Sequence, residues 1–196
     1  MADRFDDRFT PWRSVAAQRR AVRRELLAAF PAGSSLLELG GGTGEDALFL
    51  AGEGRRVLVT DGAPAMVART REKAAAAGLS EDVRAERVAI EELADFAACR
   101  VAAGEPPFDG AFSNFAALNC VADHAAAARA LASLVRPGGR ALLVVFGPFS
   151  PGETIMLLLK GERRAAFRRL ARGPVLARLG GQSVFALFRG FAKKQN

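Results

Sequence analysis

The chain has 196 residues, half of them hydrophobic and a quarter charged, which fits one domain able to bury a core of its own. No apolar run approaches the roughly 18–20 residues of a membrane span, and the opening MADRFDDRFTPW is too polar and acidic for a secretion signal. The formal charge of +7 is uneven: residues 151–196 hold ten Lys/Arg against Glu153 and Glu162, while the other 150 residues carry 18 basic and 19 acidic groups.

Two separated cysteines, Cys99 and Cys120, without metal-type spacing predict a reduced, cytoplasmic chain. His124 is the only histidine and no carboxylate cluster compensates, so no metal is expected.

In chain order, residues 14–30 place Val15, Val22, Leu26, Leu27 and Phe30 at helical spacing with arginines between, and Pro31 and Gly33 close the helix. SSLLEL is a short apolar strand followed by the run GGGTG, and EDALFLAGEG a helix stopped at Gly52 and Gly54. RRVLVTD is a β-branched strand ending at Asp61, and APAMVARTREKAAAAG a helix with Pro64 in its first turn. DVRAERVAI reads as a strand and EELADFAACRVA as a helix. FDGAFSNF reads as a strand, ADHAAAARALASLV as a helix ended by RPGG, and RALLVVFG as a strand. Strand and helix alternate five times, which predicts a doubly wound α/β fold: a mostly parallel sheet with helices on both faces. The expected organisation is one domain over 1–196, with an N-terminal helical cap (1–33), an α/β core (34–147) and a basic C-terminal helix and final strand (148–196).

In such a sheet ligands bind beyond the carboxyl ends of the strands, where strand order reverses. The stretch LLELGGGTGEDALFLA lies at the first strand-to-helix turn there. Gly40, Gly42 and Gly44 keep Cβ atoms out of the way of a ligand, and Asp46, in the first turn of the next helix, is placed as a cap or a partner of its dipole. A dinucleotide fingerprint would need a third glycine where Glu45 stands. Glu45 and Asp46 would also face a pyrophosphate with like charge, so pattern and electrostatics both disfavour that cofactor. An acidic residue at a strand end about 20 residues past the glycines, here Asp61, suits ribose hydroxyls.

The sequence E-L-G-x-G-x-G resembles the first motif of the class I S-adenosylmethionine-dependent methyltransferases, whose fold is Rossmann-like. Over roughly residues 10–150, VLVTDGAPAMVARTREKA resembles the family's second-strand motif, FDGAFSNFAALNCV its fourth-strand motif, and LASLVRPGGRALLVVF its fifth strand and preceding turn. The resemblance implies S-adenosylmethionine as cofactor and S-adenosylhomocysteine as product. It implies backbone contacts to the cofactor at Gly40, Gly42 and Gly44, Glu38 beneath them, and Asp61 on the ribose. Gly62 and Met66 would border the adenine, with Ala89 and Ile90 at the place where many members carry an aspartate; Glu91 is the alternative in another register. Asn114 and Asn119 would lie near the transferring methyl group, where they either orient an acceptor or satisfy loop backbone. His124 reads as a surface or capping group, and Cys120 as a packing residue.

The resemblance further implies that the N-terminal helix and the region after the fifth strand cover the acceptor site; Phe9, Trp12, Arg13 and residues 155–159 would form that cover here, and their apolar character favours a small or lipid-like hydrophobic acceptor. The basic residues 160–194 leave RNA or a membrane surface as the other partner readings. The family's sheet usually ends in an antiparallel hairpin. The length after Arg172 leaves room for one strand of it: either the sheet edge is shortened, or a partner chain supplies the missing edge, or the sequence is truncated, and an uncovered edge would favour a homodimer. Two other functions stay open: a nicotinamide-dependent Rossmann oxidoreductase, and a non-catalytic module acting through the basic tail.

Overall fold

Leu36 and Leu37 are adjacent and both fully buried, yet they belong to two different cores. Successive strand residues point to opposite faces, so this pair shows a sheet covered on both sides. The computed structural model describes residues 13–115 and 117–145, and beyond them residues 158, 159, 161, 163 and 184–186. The expected helical cover residues 155–157 and most of the basic positions 160–194 lie outside the described residues, as do Phe9 and Trp12.

The elements are α1 (Arg13–Ala29), β1 (Ser35–Leu39), α2 (Glu45–Gly52), β2 (Arg56–Asp61), α3 (Pro64–Ala76), β3 (Val83–Arg87), α4 (Leu93–Ala102), β4 (Phe108–Ser113), α5 (His124–Leu134), β5 (Val135–Leu143) and β6 (Val184–Ala186). Short 3₁₀ turns at Ile90–Glu92 and Ala117–Cys120 precede α4 and α5. Strand order is β3-β2-β1-β4-β5-β6 and all described pairings are parallel. The order reverses between β1 and β4, so their carboxyl ends mark the crevice.

One core lies between the sheet and α1, α2 and α3: Val22, Leu26 and Phe30, Ala47 and Leu50, Val67 and Ala74 pack on Leu36, Val57 and Val59. The other lies under α4 and α5, where Leu93, Ala97, Leu131 and Leu134 meet Leu37, Leu39 and Leu58. The doubly wound α/β fold is therefore as expected. Two details differ from the sequence reading. The RPGG segment does not precede β5 but lies inside it. Phe108 pairs with Val135 and Gly110 with Arg140, so the extra residues bulge out of β5, with Gly138 at φ 76°. The bulge is pinned by Asp109, which accepts hydrogen bonds from the Ser35 N–H and from Arg136 Nε, both at 2.8 Å. The final strand, β6, is parallel to β5, with Ala141 opposite Val184, where the family pattern leads one to expect an antiparallel edge.

Phe30 explains a glycine in the middle of β4. Its ring occupies the space a Cβ on Gly110 would need, so the end of α1 seats directly on the sheet backbone. Phe30 is 2% exposed. Phe30→Ala is expected to lower stability by about 3–5 kcal/mol, read as a lower denaturation midpoint at an unchanged m-value.

Candidate functional site

The loop after β1 is held in a conformation that only glycine adopts easily. Gly40, Gly42 and Gly44 have φ of 62°, 60° and 74°. A Cβ at Gly40 would collide with the Ala117 methyl, and one at Gly44 would come within 2.6 Å of Thr70 Cγ2. At Gly42 a Cβ would meet nothing within 4 Å, so this peptide faces open space. Its two polar groups are both fixed. The Gly42 N–H donates to Asp61 Oδ2 at 2.9 Å, and its carbonyl accepts from the Thr70 hydroxyl at 2.9 Å. Asp61 Oδ1 accepts the Ala63 N–H at 2.8 Å. Each Asp61 oxygen thus keeps acceptor capacity for a further donor.

Glu38 lies under this loop. It is 2% exposed, and a Cβ on Gly41 would sit 2.7 Å from its Oε2. That oxygen has no hydrogen-bond partner among the described residues. Burial pushes the Glu38 carboxyl well above the usual carboxylate range; Asp46 and Asp61 add to the effect, and Arg19 and Arg23 oppose it.

The start of α2 carries two acidic side chains. Gly44 is the N-cap and makes no side-chain cap bond; Asp46 stands in the first turn beside Glu45, the place of a helix-dipole partner rather than of a cap. Asp46 is 4% exposed, with Oδ1 2.8 Å from Arg23 Nε and Oδ2 accepting from Asn114 Nδ2 at 2.8 Å. Glu45 pairs with Lys73 and, at 3.4 Å, with Arg19, while its carbonyl accepts from Arg23 Nη2 at 2.7 Å. The arginines come from α1, which the sequence presented only as an amphipathic helix. Their four-residue spacing, which puts Arg19 and Arg23 on one face, was the available signal. Thr70 and Gln18 had no such signal.

Asn114, at the tip of β4, is buried and engaged on both ends of its amide. Its Oδ1 accepts from Gln18 Nε2 at 3.2 Å and from the Phe115 N–H at 2.8 Å. Phe115 is the only described non-glycine residue with positive φ, at 53°. Asn119 is exposed in the 3₁₀ turn. His124 opens α5 behind the Asp123 cap, with Nε2 3.0 Å from the Leu118 carbonyl. Cys120 is exposed rather than packed, because its 3₁₀ turn buries Leu118 instead.

On the other side of the crevice, the ends of β2 and β3 meet: a Cβ on Gly62 would lie 3.3 Å from Ala89 Cβ, and the Val88 N–H donates to the Asp61 carbonyl at 3.1 Å. Met66 is half-buried in the first turn of α3. Ile90 is half-buried and lines a cleft of about 120 Å³ with Glu91, Val121, Asp123 and Ala126.

A known family, the Methyltransferase domain, matches residues 36–139, more than half of the chain. The chain belongs to that family. Among solved structures, an S-adenosylmethionine-dependent methyltransferase from Mesorhizobium loti is 28% identical, with TM-score 0.51, over 64% of this chain and 53% of that one. A protein whose structure concerns conversion of a disulfide bond into a thioacetal group during echinomycin biosynthesis is 32% identical, with TM-score 0.50, over 61% and 46%. A methyltransferase from Geobacter sulfurreducens in complex with S-adenosylhomocysteine shares the fold at 18% identity and TM-score 0.50, over 65% and 47%. The chain spans about half the length of these structures. No curated protein matches it.

The family's cofactor is S-adenosylmethionine, and the residues present fit it. The open Gly42 peptide, the acceptor capacity left on Asp61 and the unpartnered Glu38 Oε2 suit a nucleoside with an amino group and no phosphate. A carboxyl raised in the folded state supports folding fully at low pH and loses that support as pH rises through its folded value. Glu38→Gln is therefore expected to raise the thermal midpoint of the cofactor-free protein at pH 7–8. The gain should shrink toward pH 4, and S-adenosylhomocysteine binding should weaken; melting curves across this range and titration calorimetry check both.

Proposed function

We propose that this protein transfers the methyl group of S-adenosylmethionine to a small or medium-sized hydrophobic acceptor. One observation carries the choice of cofactor chemistry: Glu45 and Asp46 fill the N-terminus of α2 and are themselves neutralised by Arg19, Arg23 and Lys73. A pyrophosphate needs that helix end empty and its N–H groups exposed. A nucleoside sulfonium does not, which is why a nicotinamide dinucleotide is the weaker reading.

When bound, the cofactor supplies a methyl carbon already activated on a cationic sulfur. The protein's task is alignment. Asp61 accepts from the ribose hydroxyls, and the Gly40–Gly42 backbone lies along the cofactor's flank. Gly62, Met66, Ala89 and Ile90 bracket the adenine. Holding a nucleophile in line with the methyl carbon supplies much of the rate for such a displacement. Asn114 acts here by fixing the β4 tip, since both ends of its amide are already bonded within the protein. His124 and Cys120 take no part in a base mechanism in this reading.

The apolar acceptor is supported by Leu158 and Leu159, which are 39% and 84% exposed. The apolar character of Phe9, Trp12 and residues 155–157 supports it too. Among the described residues no helix is long and apolar enough to cross a membrane.

S-adenosylhomocysteine is expected to raise the melting temperature and NADH to leave it unchanged; the reverse pattern rejects the methyltransferase reading. Asp61→Ala removes both the ribose acceptor and the clamp on the Gly42 N–H. It should weaken S-adenosylhomocysteine binding by about 1–3 kcal/mol, measured by titration calorimetry. An unchanged dissociation constant removes Asp61 from the site.

A further inference from the structure

Gly33 and Gly138 come from different loops. Both have positive φ, and a Cβ on either would meet nothing within 4 Å. They line one cleft of about 570 Å³, within the roughly 300–1,000 Å³ usual for small-molecule sites. The cleft lies at the amino ends of β1, β4 and β5, at the other end of the sheet from the crevice. One wall is the end of α1 and the turn after it, with Ala28, Pro31 and Ala32; the other is the β5 bulge. Gly139 makes that bulge possible, because a Cβ there would sit 2.7 Å from the Asp109 carbonyl oxygen.

The charged residues lining the cleft are Asp109, Arg136 and Arg140. Asp109 is committed within the protein: its Oδ2 accepts from the Ser35 N–H and its Oδ1 from Arg136 Nε, both at 2.8 Å. The Ser35 N–H first, and then Arg136, hold its carboxyl below the usual range, with Arg56 at the start of β2 acting in the same direction. Arg140 is different. The register shift in β5 sets it opposite Gly110, and no ion pair or side-chain hydrogen bond engages it among the described residues. The surplus is local, since residues 1–150 carry 18 basic and 19 acidic groups. An exposed arginine alone is a solvated charge; here it borders a cleft where glycines leave the main chain open to close approach.

We propose that this cleft is a second binding site, for a small molecule bearing a phosphate group, with Arg140 and Arg136 on the phosphate and Ala28, Pro31 and Ala32 against the rest of the molecule. A carboxylate offers one charge, which a single arginine matches, as Arg136 matches Asp109. A phosphate monoester offers nearly two charges and three acceptor oxygens, which two arginines can share. The bulge supplies both arginines, and Asp109 orients the one that it holds. The proposal does not depend on the cofactor reading, because none of these residues belongs to the crevice.

Titration calorimetry on the full chain, at fixed ionic strength, tests this with three probes: inorganic phosphate, phenyl phosphate and benzoate. Phenyl phosphate should bind about tenfold or more tightly than benzoate, and at least about threefold more tightly than inorganic phosphate. Arg140→Gln should weaken phenyl phosphate about tenfold at an unchanged melting temperature, and Arg140→Lys should recover part of the loss. Absence of phenyl phosphate binding, equal affinity for benzoate, or full affinity in Arg140→Gln overturns the proposal. Inorganic phosphate binding as tightly as phenyl phosphate also overturns it, since the walls then hold nothing. Should Arg140→Gln not fold, Ala32→Glu decides: a carboxylate on the opposite wall should weaken phenyl phosphate about tenfold by repulsion, and unchanged affinity rejects the site. Each result is read without S-adenosylhomocysteine, so this proposal and the cofactor reading fail separately.

Discussion

Two carboxylates at the start of α2 are the constraint on which the site is built. Burying the Asp46 carboxylate is unfavourable unless it is paired and hydrogen-bonded, and Asp46 is 4% exposed. Its partners come from distant parts of the chain: Arg23 from α1 and Asn114 from the tip of β4. Glu45 beside it draws in Lys73 from α3. The charge in one helical turn thus ties together the N-terminal helix, the glycine loop and the end of β4. The same turn places two acidic groups, with their basic partners, at the edge of the crevice.

The glycine loop is rigid for a related reason. Left-handed conformations at Gly40, Gly42 and Gly44 bring the chain close to Ala117 and Thr70 without steric conflict. Asp61 and Thr70 then hold the N–H and the carbonyl of Gly42 from two sides. A loop fixed in this way presents its backbone to a ligand with little left to order on binding, which is the structural meaning of preorganisation. Thr70 is fully buried and looks, in the sequence, like any residue of an amphipathic helix.

The alternation of strands and helices was legible because each element carries its own period and its own stop: Pro31 after α1, Gly54 after α2, Pro64 at the start of α3, Gly78 after it. Glu38, the glycines and Asp61 were legible because they lie next to one another along the chain or at strand ends set by that alternation. The misreadings have local causes. RPGG looked like a turn, but a bulge tolerates the same residues, and only the register of β4 against β5 distinguishes the two. Cys120 looked like a packing residue because its neighbours are apolar, yet the 3₁₀ turn rotates Leu118 inward and leaves the thiol exposed.

By itself the sequence determined the doubly wound layout, the place of the crevice and the absence of a dinucleotide fingerprint, since these follow from periodicity, spacing and local charge. Only the tertiary structure decided what the charges do. Gln18, Arg23, Asp46 and Asn114 form one network whose ends lie 96 residues apart in the chain, and no local pattern encodes that meeting. The physical reason is that a hydrogen-bond donor or a carboxylate acquires its role from what burial leaves unsatisfied. That is a property of the packed molecule and not of neighbours in the chain.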